Sequence, residues 1–244
     1  MNLLELAKVL IVLSFLLYAC RLDLRSRIVP NRVWKFMLIF AIPFTAIQIL
    51  QSYEFLVAER ILLLFMFFGT VFMLLLAYIL YRLNFYGGAD AKALMCLAVL
   101  FPIYPDFGSF PIINSGFGVF AFSVLANSVI FAPLIMLVLL FRNLAKEGFR
   151  GFLKNPLYYI TGYRIPVDKI RFHNLFEFLD DDGELKRVKR AIEPNEELIS
   201  RLKKHGVEKV WVTPALPFIV FITLGYVSAL IFGDILFLAI TLIL

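Results

Sequence analysis

Charge is scarce in this chain: 17% of its 244 residues are Asp, Glu, Lys or Arg, against about 25% in an ordinary soluble domain. Cysteine is scarcer still, at two. Cys20 and Cys96 sit far apart in apolar stretches with no CxxC pair, so no disulfide framework and no zinc site is expected. Both read as small membrane-buried hydrophobes. P-loop, GxGxxG and HExxH strings are missing, and no metal, cofactor or nucleic-acid partner is expected. Internal repeats are missing too, which argues against a transporter built from inverted halves.

What is present is apolar, and it comes in runs. Hydrophobic residues make up 61% of the chain, concentrated in Leu3–Cys20, Val33–Leu50, Ile61–Tyr81, Ala91–Phe101, Val119–Phe141 and Ala215–Phe232. A membrane-spanning helix needs about 20 apolar residues, and five of the six runs approach that length. A soluble enzyme, a secreted disulfide scaffold and a disordered chain are excluded. The expected fold is mainly α: a polytopic membrane protein of six transmembrane helices, with a small α+β cytoplasmic module between the fifth and sixth. The expected divisions are 1–141 for five helices, 142–213 for the module and 214–244 for the last helix and an outer tail.

Lysine and arginine collect in cytoplasmic loops. Of the 24 basic residues, 22 fall after the first run, between the third and fourth, or in 142–213; only Lys8 and Arg60 do not. This places both termini outside and the odd turns inside. The first run has no basic n-region and no small-residue cleavage site, so it reads as an uncleaved helix. The fourth run is short, rising only about 18 Å as a helix against a hydrocarbon core of about 30 Å. The charge rule still demands a crossing there, completed by irregular shielded chain around Pro102–Ile113.

Segment 142–213 holds 15 of the 24 cations and 11 of the 18 acids. Its 72 residues are few for a free-standing core, so it is expected to lean on the helices or the membrane surface. Phe172–Leu179 and Glu184–Ile192 read as strands around the acidic turn Asp180-Asp181-Asp182-Gly183. Pro194 to Glu197 opens a helix to Lys204 with Gly206 as its stop, and Glu208–Thr213 reads as a further strand.

Outside the module seven acids remain: Glu5, Asp23, Glu54, Glu59, Asp90, Asp106 and Asp234. An ionisable residue near the bilayer centre costs about 2.5–3.5 kcal/mol, which makes each one within a span a functional candidate. Glu54, Glu59 and Asp106 fall in outer loops, Glu5 can pair with Lys8 one turn on, and Asp234 after Gly233 reads as the end of the last span. Asp23 and Asp90 remain, both at cytoplasmic helix ends. Two carboxylates meeting in a partly dry site share a proton and can act as base and acid together, which suits peptide hydrolysis without a metal. Alternatively, each pairs separately with nearby arginines. Tyr86-Gly87-Gly88-Ala89 before Asp90 lets the backbone bend and admits an extended chain, and Asp23 opens a basic turn stopped by Pro30.

Asp23 with Pro30-Asn31 resembles the aspartate-to-Pro-Asn element of the type IV prepilin peptidases. Gly87-Gly88-Ala89-Asp90-Ala91-Lys92 resembles their second element, GxGD followed by lysine; together these mark the GxGD class of membrane aspartyl proteases. Ala89, where many members carry glycine, is similar to the archaeal preflagellin and prepilin branch. The resemblance implies that Asp23 and Asp90 are the catalytic pair, that Asn31 and Lys92 position them, and that Pro30, Gly87, Gly88 and Ala89 shape the site. The cysteine-rich module of many bacterial members is missing, so their methylation step is not expected. Pro214-Ala215-Leu216 also spells the PAL element of presenilin and signal-peptide-peptidase relatives, but the tyrosine expected before Asp23 is replaced by Leu22.

The implied activity is removal of a short basic leader from preflagellin or prepilin precursors at the cytoplasmic membrane face. Such a leader could meet the acidic Asp180–Asp182 turn, while the basic surface of 142–213 could meet anionic lipid. Other classes consistent with the residues alone are a proton-coupled transporter and an assembly scaffold.

Overall fold

The computed structural model describes residues 3–105, 108–112, 118–170, 172–180, 183–214 and 217–243; Asp106, Asp181, Asp182, Ala215 and Leu216 lie outside them. The chain divides into two compact units, Met1–Ala132 with Pro217–Leu244, and Pro133–Leu216.

The first unit is helical because a backbone without water must satisfy its own hydrogen bonds. It contains α1 (Leu3–Ser26), α2 (Asn31–Gln51), α3 (Tyr53–Ala58), α4 (Arg60–Arg82), α5 (Gly88–Leu100) and the start of α6 (Phe120–Glu147). After the module come α10 (Phe218–Ile231) and α11 (Ile235–Ile243). Among the described residues, α1, α2, α4 and α6 are each long and apolar enough to cross a membrane. The pair α10 and α11, bent by 70°, makes a fifth if taken as one span. At 13 residues, α5 falls short of a span.

The core joins Val12, Leu16 and Ala19 of α1, Trp34 and Met37 of α2, Leu94 and Leu97 of α5, and Ile222 and Tyr226 of α10. Small residues let these helices approach closely. At Gly225 a Cβ would overlap the carbonyl oxygen of Val124, so α10 crosses α6 backbone against backbone. Outward-facing Phe68, Phe72 and Leu75 are at least half exposed, as lipid-facing positions should be.

The last long helix stops at Ile231, just before Gly233-Asp234 as expected, but the tail after it is helical. The chain does not trail off after Gly233-Asp234: it turns at Gly233 (φ 84°) and resumes as α11. Asn127 fills the break, its Nδ2 donating to the Gly233 carbonyl at 2.8 Å and its Oδ1 accepting from Ile235 N–H at 3.1 Å. Asp234 is accordingly buried inside the break. The irregular chain after α5 packs against the same end of α10: Tyr104 donates to the Ala229 carbonyl (3.0 Å) and Ile112 N–H to that of Ile231 (3.0 Å).

The second unit holds the rest of α6, α7 (Phe149–Lys154), α8 (Pro156–Thr161), α9 (Glu196–Lys204) and four strands. The strands are β1 (Tyr163–Pro166), β2 (His173–Leu179), β3 (Leu185–Ile192) and β4 (Lys209–Pro214), in an antiparallel sheet of order β1-β4-β2-β3. The β2–β3 hairpin, α9 and β4 stand where the sequence placed them. Asn195 caps α9 by accepting from Leu198 N–H (2.7 Å), and Gly206 stops it at φ 70°. One cluster of the sheet packs Leu175, Val210 and Val212 with Leu202 of α9. The other packs Phe176 and Trp211 with Tyr158 and Tyr159 of α8 and with Leu140 and Leu144 of α6. Asp180 is a turn residue, accepting from Glu184 N–H (2.7 Å) and paired with Lys186 (2.8 Å).

Candidate active site

Asp23 lies in the last turn of α1. Arg27 ends that turn at φ 58°, its N–H donating to the Asp23 carbonyl (2.9 Å) and its guanidinium standing 3.9 Å from the Asp23 carboxylate. Pro30, extended at φ −62° and ψ 145°, is the residue from which α2 starts at Asn31. Proline cannot continue a helix but is well set to precede one. The reversal from α1 to α2 is thus written in four residues, and it leaves the Asp23 side chain 15% exposed.

Asp90 occupies the first turn of α5, where free backbone N–H groups and the helix dipole favour an anion. Its Oδ2 accepts from Gly87 N–H at 3.0 Å, and the residue is 7% exposed. A Cβ at position 87 would stand 3.3 Å from that same oxygen, and one at position 88 would stand 3.4 Å from the Tyr81 ring. A side chain at position 87 would thus crowd the Asp90 carboxylate, whereas one at position 88 would meet the Tyr81 ring in ordinary contact. Ala89 packs half-buried against the core.

Asp23 lies within electrostatic reach of Asp90, and Cys20, one turn before Asp23, lies within reach of both. A second contact joins the same two sequence elements. Lys92 Nζ donates to Asn31 Oδ1 at 2.7 Å, across 61 residues, fastening the start of α5 to the start of α2. All eight residues expected at the site are thus placed in the first unit, around the N-terminus of α5 and the α1–α2 turn.

The sequence reading missed the contribution of α10. Its Ile219 backbone N–H approaches the Asp90 carboxylate, and Thr223 one turn on contacts Cys20 Sγ at 3.0 Å. Tyr86 stacks on Phe218 with ring centroids 5.6 Å apart and planes 5° from parallel. The one available signal was the Pro214-Ala215-Leu216 string: Pro214 ends β4, the next two residues lie outside the described ones, and α10 begins at Phe218.

Chemically, the site offers two carboxylates, the Gly87 N–H that holds one of them, and a cation–amide clamp beside them. The hydroxyl at Thr223 donates to the Ile219 carbonyl (2.9 Å), and the Cys20 thiol contacts that same carbonyl at 3.6 Å, so both are engaged in the packing of α1 on α10.

The chain is similar in sequence to several known proteins. An uncharacterised protein of Methanocaldococcus jannaschii is 34% identical over 156 residues, 63% of this chain and 52% of that one, so the chain spans about half the length of that relative. The preflagellin peptidase of the same organism is 29% identical over 231 residues, 90% of this chain and 91% of its own. That of Methanococcus maripaludis is 25% identical over 218 residues, 87% and 89% of the two chains. Residues 154–235 match the archaeal Peptidase A24 C-terminus of type II. Residues 10–141, which carry both aspartates and more than half of the chain, match the type IV leader peptidase family, and it is to this family that the chain belongs.

Proposed function

We propose that this protein is a membrane aspartyl endopeptidase that removes the short basic leader from preflagellin-like precursors, with Asp23 and Asp90 as its catalytic pair. The observation that carries the reading is that these two carboxylates, 67 residues apart in sequence, lie within electrostatic reach at helix ends that the Lys92–Asn31 bond fastens together. In a shared-proton pair the ionised carboxylate takes a proton from water, whose oxygen adds to the scissile carbonyl carbon. The protonated carboxyl gives its proton to the carbonyl oxygen, yielding a neutral tetrahedral diol. Collapse breaks the carbon–nitrogen bond, the amine leaves with the proton taken from water, and a carboxylic acid remains. Gly87 N–H and the Ile219 amide orient Asp90, while Lys92 and Asn31 hold the α5 and α2 termini in register.

The placement in the membrane follows from charge. With α5 and the packed chain after it counted as a crossing, and α10 with α11 as another, the helices make six passes. The arginines of the α1–α2 turn and the cations of the module then share the cytoplasmic side with Asp23 and Asp90, and both termini lie outside. A precursor anchored by a hydrophobic helix would present its leader junction at that level.

The test is leader cleavage of a co-expressed preflagellin, scored by gel shift, for the parent, Asp23→Asn and Asp90→Asn. Both variants should reach parental membrane levels and cleave nothing. Cleavage surviving in either one overturns the aspartyl mechanism and returns transport or scaffolding as the function.

A further inference from the structure

The second unit carries a surface that its own core does not explain. In α6 the side chains of Leu134, Leu137, Val138 and Phe141 are 49–67% exposed, a strip that only lipid covers in a helix of this hydropathy. The strip ends at Arg142 and Asn143, so the border of the hydrocarbon falls near Phe141. From there to Glu147 the helix rises by about 9 Å. Gly148 then turns the chain (φ 77°) into α7, whose Phe149 and Leu153 are 62% and 67% exposed, followed by Leu157 of α8 at 43%. The headgroup layer is about 5–8 Å thick on each side, so α7 emerges at headgroup level, where an interfacial helix lies with its apolar face turned into the leaflet.

These side chains face outward because the other face of α7 is fixed. At Gly151 a Cβ would land on the Tyr159 hydroxyl, so that ring lies on bare α7 backbone. Phe152 meets Tyr159 edge to face at 5.8 Å, and the Tyr159 hydroxyl donates to the Gly148 carbonyl at 3.1 Å. Asn143 Nδ2, buried in α6, donates to the carbonyls of Tyr159 and Gly162 at 2.9 and 2.6 Å. The end of α6, α7 and α8 are therefore one packed corner with Phe149, Leu153 and Leu157 on its outside. Around them stand exposed Lys146, Arg150 and Lys154, while the neighbouring Glu147 is paired with Arg164 at 3.7 Å. A second copy of the chain would set three cations against three more. Anionic headgroups would neutralise them.

We propose that α7 and the start of α8 form an interfacial foot, which sinks Phe149, Leu153 and Leu157 into the leaflet where α6 ends and rests Lys146, Arg150 and Lys154 on anionic phospholipid headgroups. The foot rests on the reading of α6 as a membrane span and is independent of the peptidase chemistry.

The test uses the full chain, one copy per nanodisc, with Phe149→Trp and, separately, Leu153→Trp as reporters over the parent background of the buried Trp34 and Trp211. Acyl-brominated lipid should quench the added fluorescence at least twofold while aqueous iodide leaves it unchanged. Quenching by iodide and not by bromine in both variants overturns the proposal. So does protection from both quenchers only in discs holding two chains, which assigns the face to a second copy. In the second arm Lys146→Gln, Arg150→Gln and Lys154→Gln are combined, and association of spin-labelled phosphatidylglycerol is compared with phosphatidylcholine. The preference for phosphatidylglycerol should fall severalfold; an unchanged preference removes the headgroup half of the proposal.

Discussion

Lysine 8 should be among the most costly side chains in the first unit to shorten by its charge alone. It is 1% exposed in the apolar helix α1, yet its ammonium is fully engaged. Nζ donates to Gln48 Oε1 at 2.6 Å and to the carbonyl of Leu100, the last residue of α5, at 3.1 Å. It also stands 4.5 Å from the centre of the Phe101 ring. Gln48 passes the contact on, its Nε2 donating to Glu5 Oε1 at 3.1 Å. The variant Lys8→Met keeps the stem and removes the charge. Two charge-assisted hydrogen bonds contribute roughly 1.5–3 kcal/mol each and the ring contact about 0.5–2 kcal/mol. Against this, the ammonium no longer has to be held out of water, which returns several kcal/mol. What decides the sign is the group left behind: Gln48 Oε1 loses its donor, and Glu5, 7% exposed, loses a nearby cation while keeping its bond from Gln48, a net loss of about 1–3 kcal/mol. For a chain of this length that is a fall in Tm of roughly 2–12 °C. The assay is the melting midpoint by size-exclusion chromatography of heated samples, in one detergent and at one heating rate, since the unfolding of such proteins is judged at a fixed rate. The double variant Glu5→Gln with Lys8→Met should melt above Lys8→Met alone. A single variant within 2 °C of the parent, or a double variant that loses the sum of both, would refute the reasoning.

Two further predictions concern the site. Lys92→Met removes the 2.7 Å bond to Asn31 from an exposed position, so stability should change by less than about 1 kcal/mol while leader cleavage slows roughly tenfold. Asn31→Asp, which keeps an acceptor for Lys92, should cleave faster than Asn31→Leu; equal rates would make the contact merely structural. Gly87→Val places branched carbon where even a Cβ would stand 3.3 Å from Asp90 Oδ2. It should abolish cleavage at parental membrane levels, with Gly87→Ala intermediate; full activity in Gly87→Val would show that Asp90 need not keep its bond to the Gly87 amide.

The parts of this protein that could be read from the sequence are those governed by local rules. Elimination left Asp23 and Asp90 as candidates at two cytoplasmic helix ends with separate pairing to arginines still open, and it was the resemblance of the flanking proline and glycines to family motifs that singled them out. The β2–β3 hairpin and α9 were legible from alternation, an acidic turn, Asn195 and Gly206. What stayed hidden depends on partners distant in the chain. Gly233-Asp234 reads as a helix stop and does follow the end of α10, but only Asn127, more than a hundred residues earlier, explains how the chain turns there and resumes as α11. The Ile219 amide is backbone and has no residue signature. Pairing Glu5 with Lys8 one turn apart was the local solution, whereas Lys8 bonds to residues 40 and 92 positions away. The short α7 and α8 lie in a stretch too small for a periodic pattern, and Gly151 gains its meaning only from Tyr159.

The shortness of α5 and the burial of Lys8 are two aspects of one geometry. An α-helix ends with carbonyls that have no partner within it, a serious cost away from water. In α5 the last of these, on Leu100, accepts both from Lys8 and from Thr45 Oγ1 at 2.8 Å. The same contacts fix the helix along its axis. Asp90 is ten residues from Leu100, about 15 Å of helix, and Asp23 is fifteen residues from Lys8, about 22 Å. With Asp23 near Asp90 at one end, the difference of about 7 Å at the other is on the order of an extended lysine stem, which is what reaches from α1 to the end of α5. A methionine of similar length would fill that space without binding the carbonyl, and a shorter side chain would leave it open. The register between the two carboxylates is therefore held at both ends of α5: by the Gly87 amide and the Lys92–Asn31 bond at the site, and by Lys8 and Thr45 some four helical turns away.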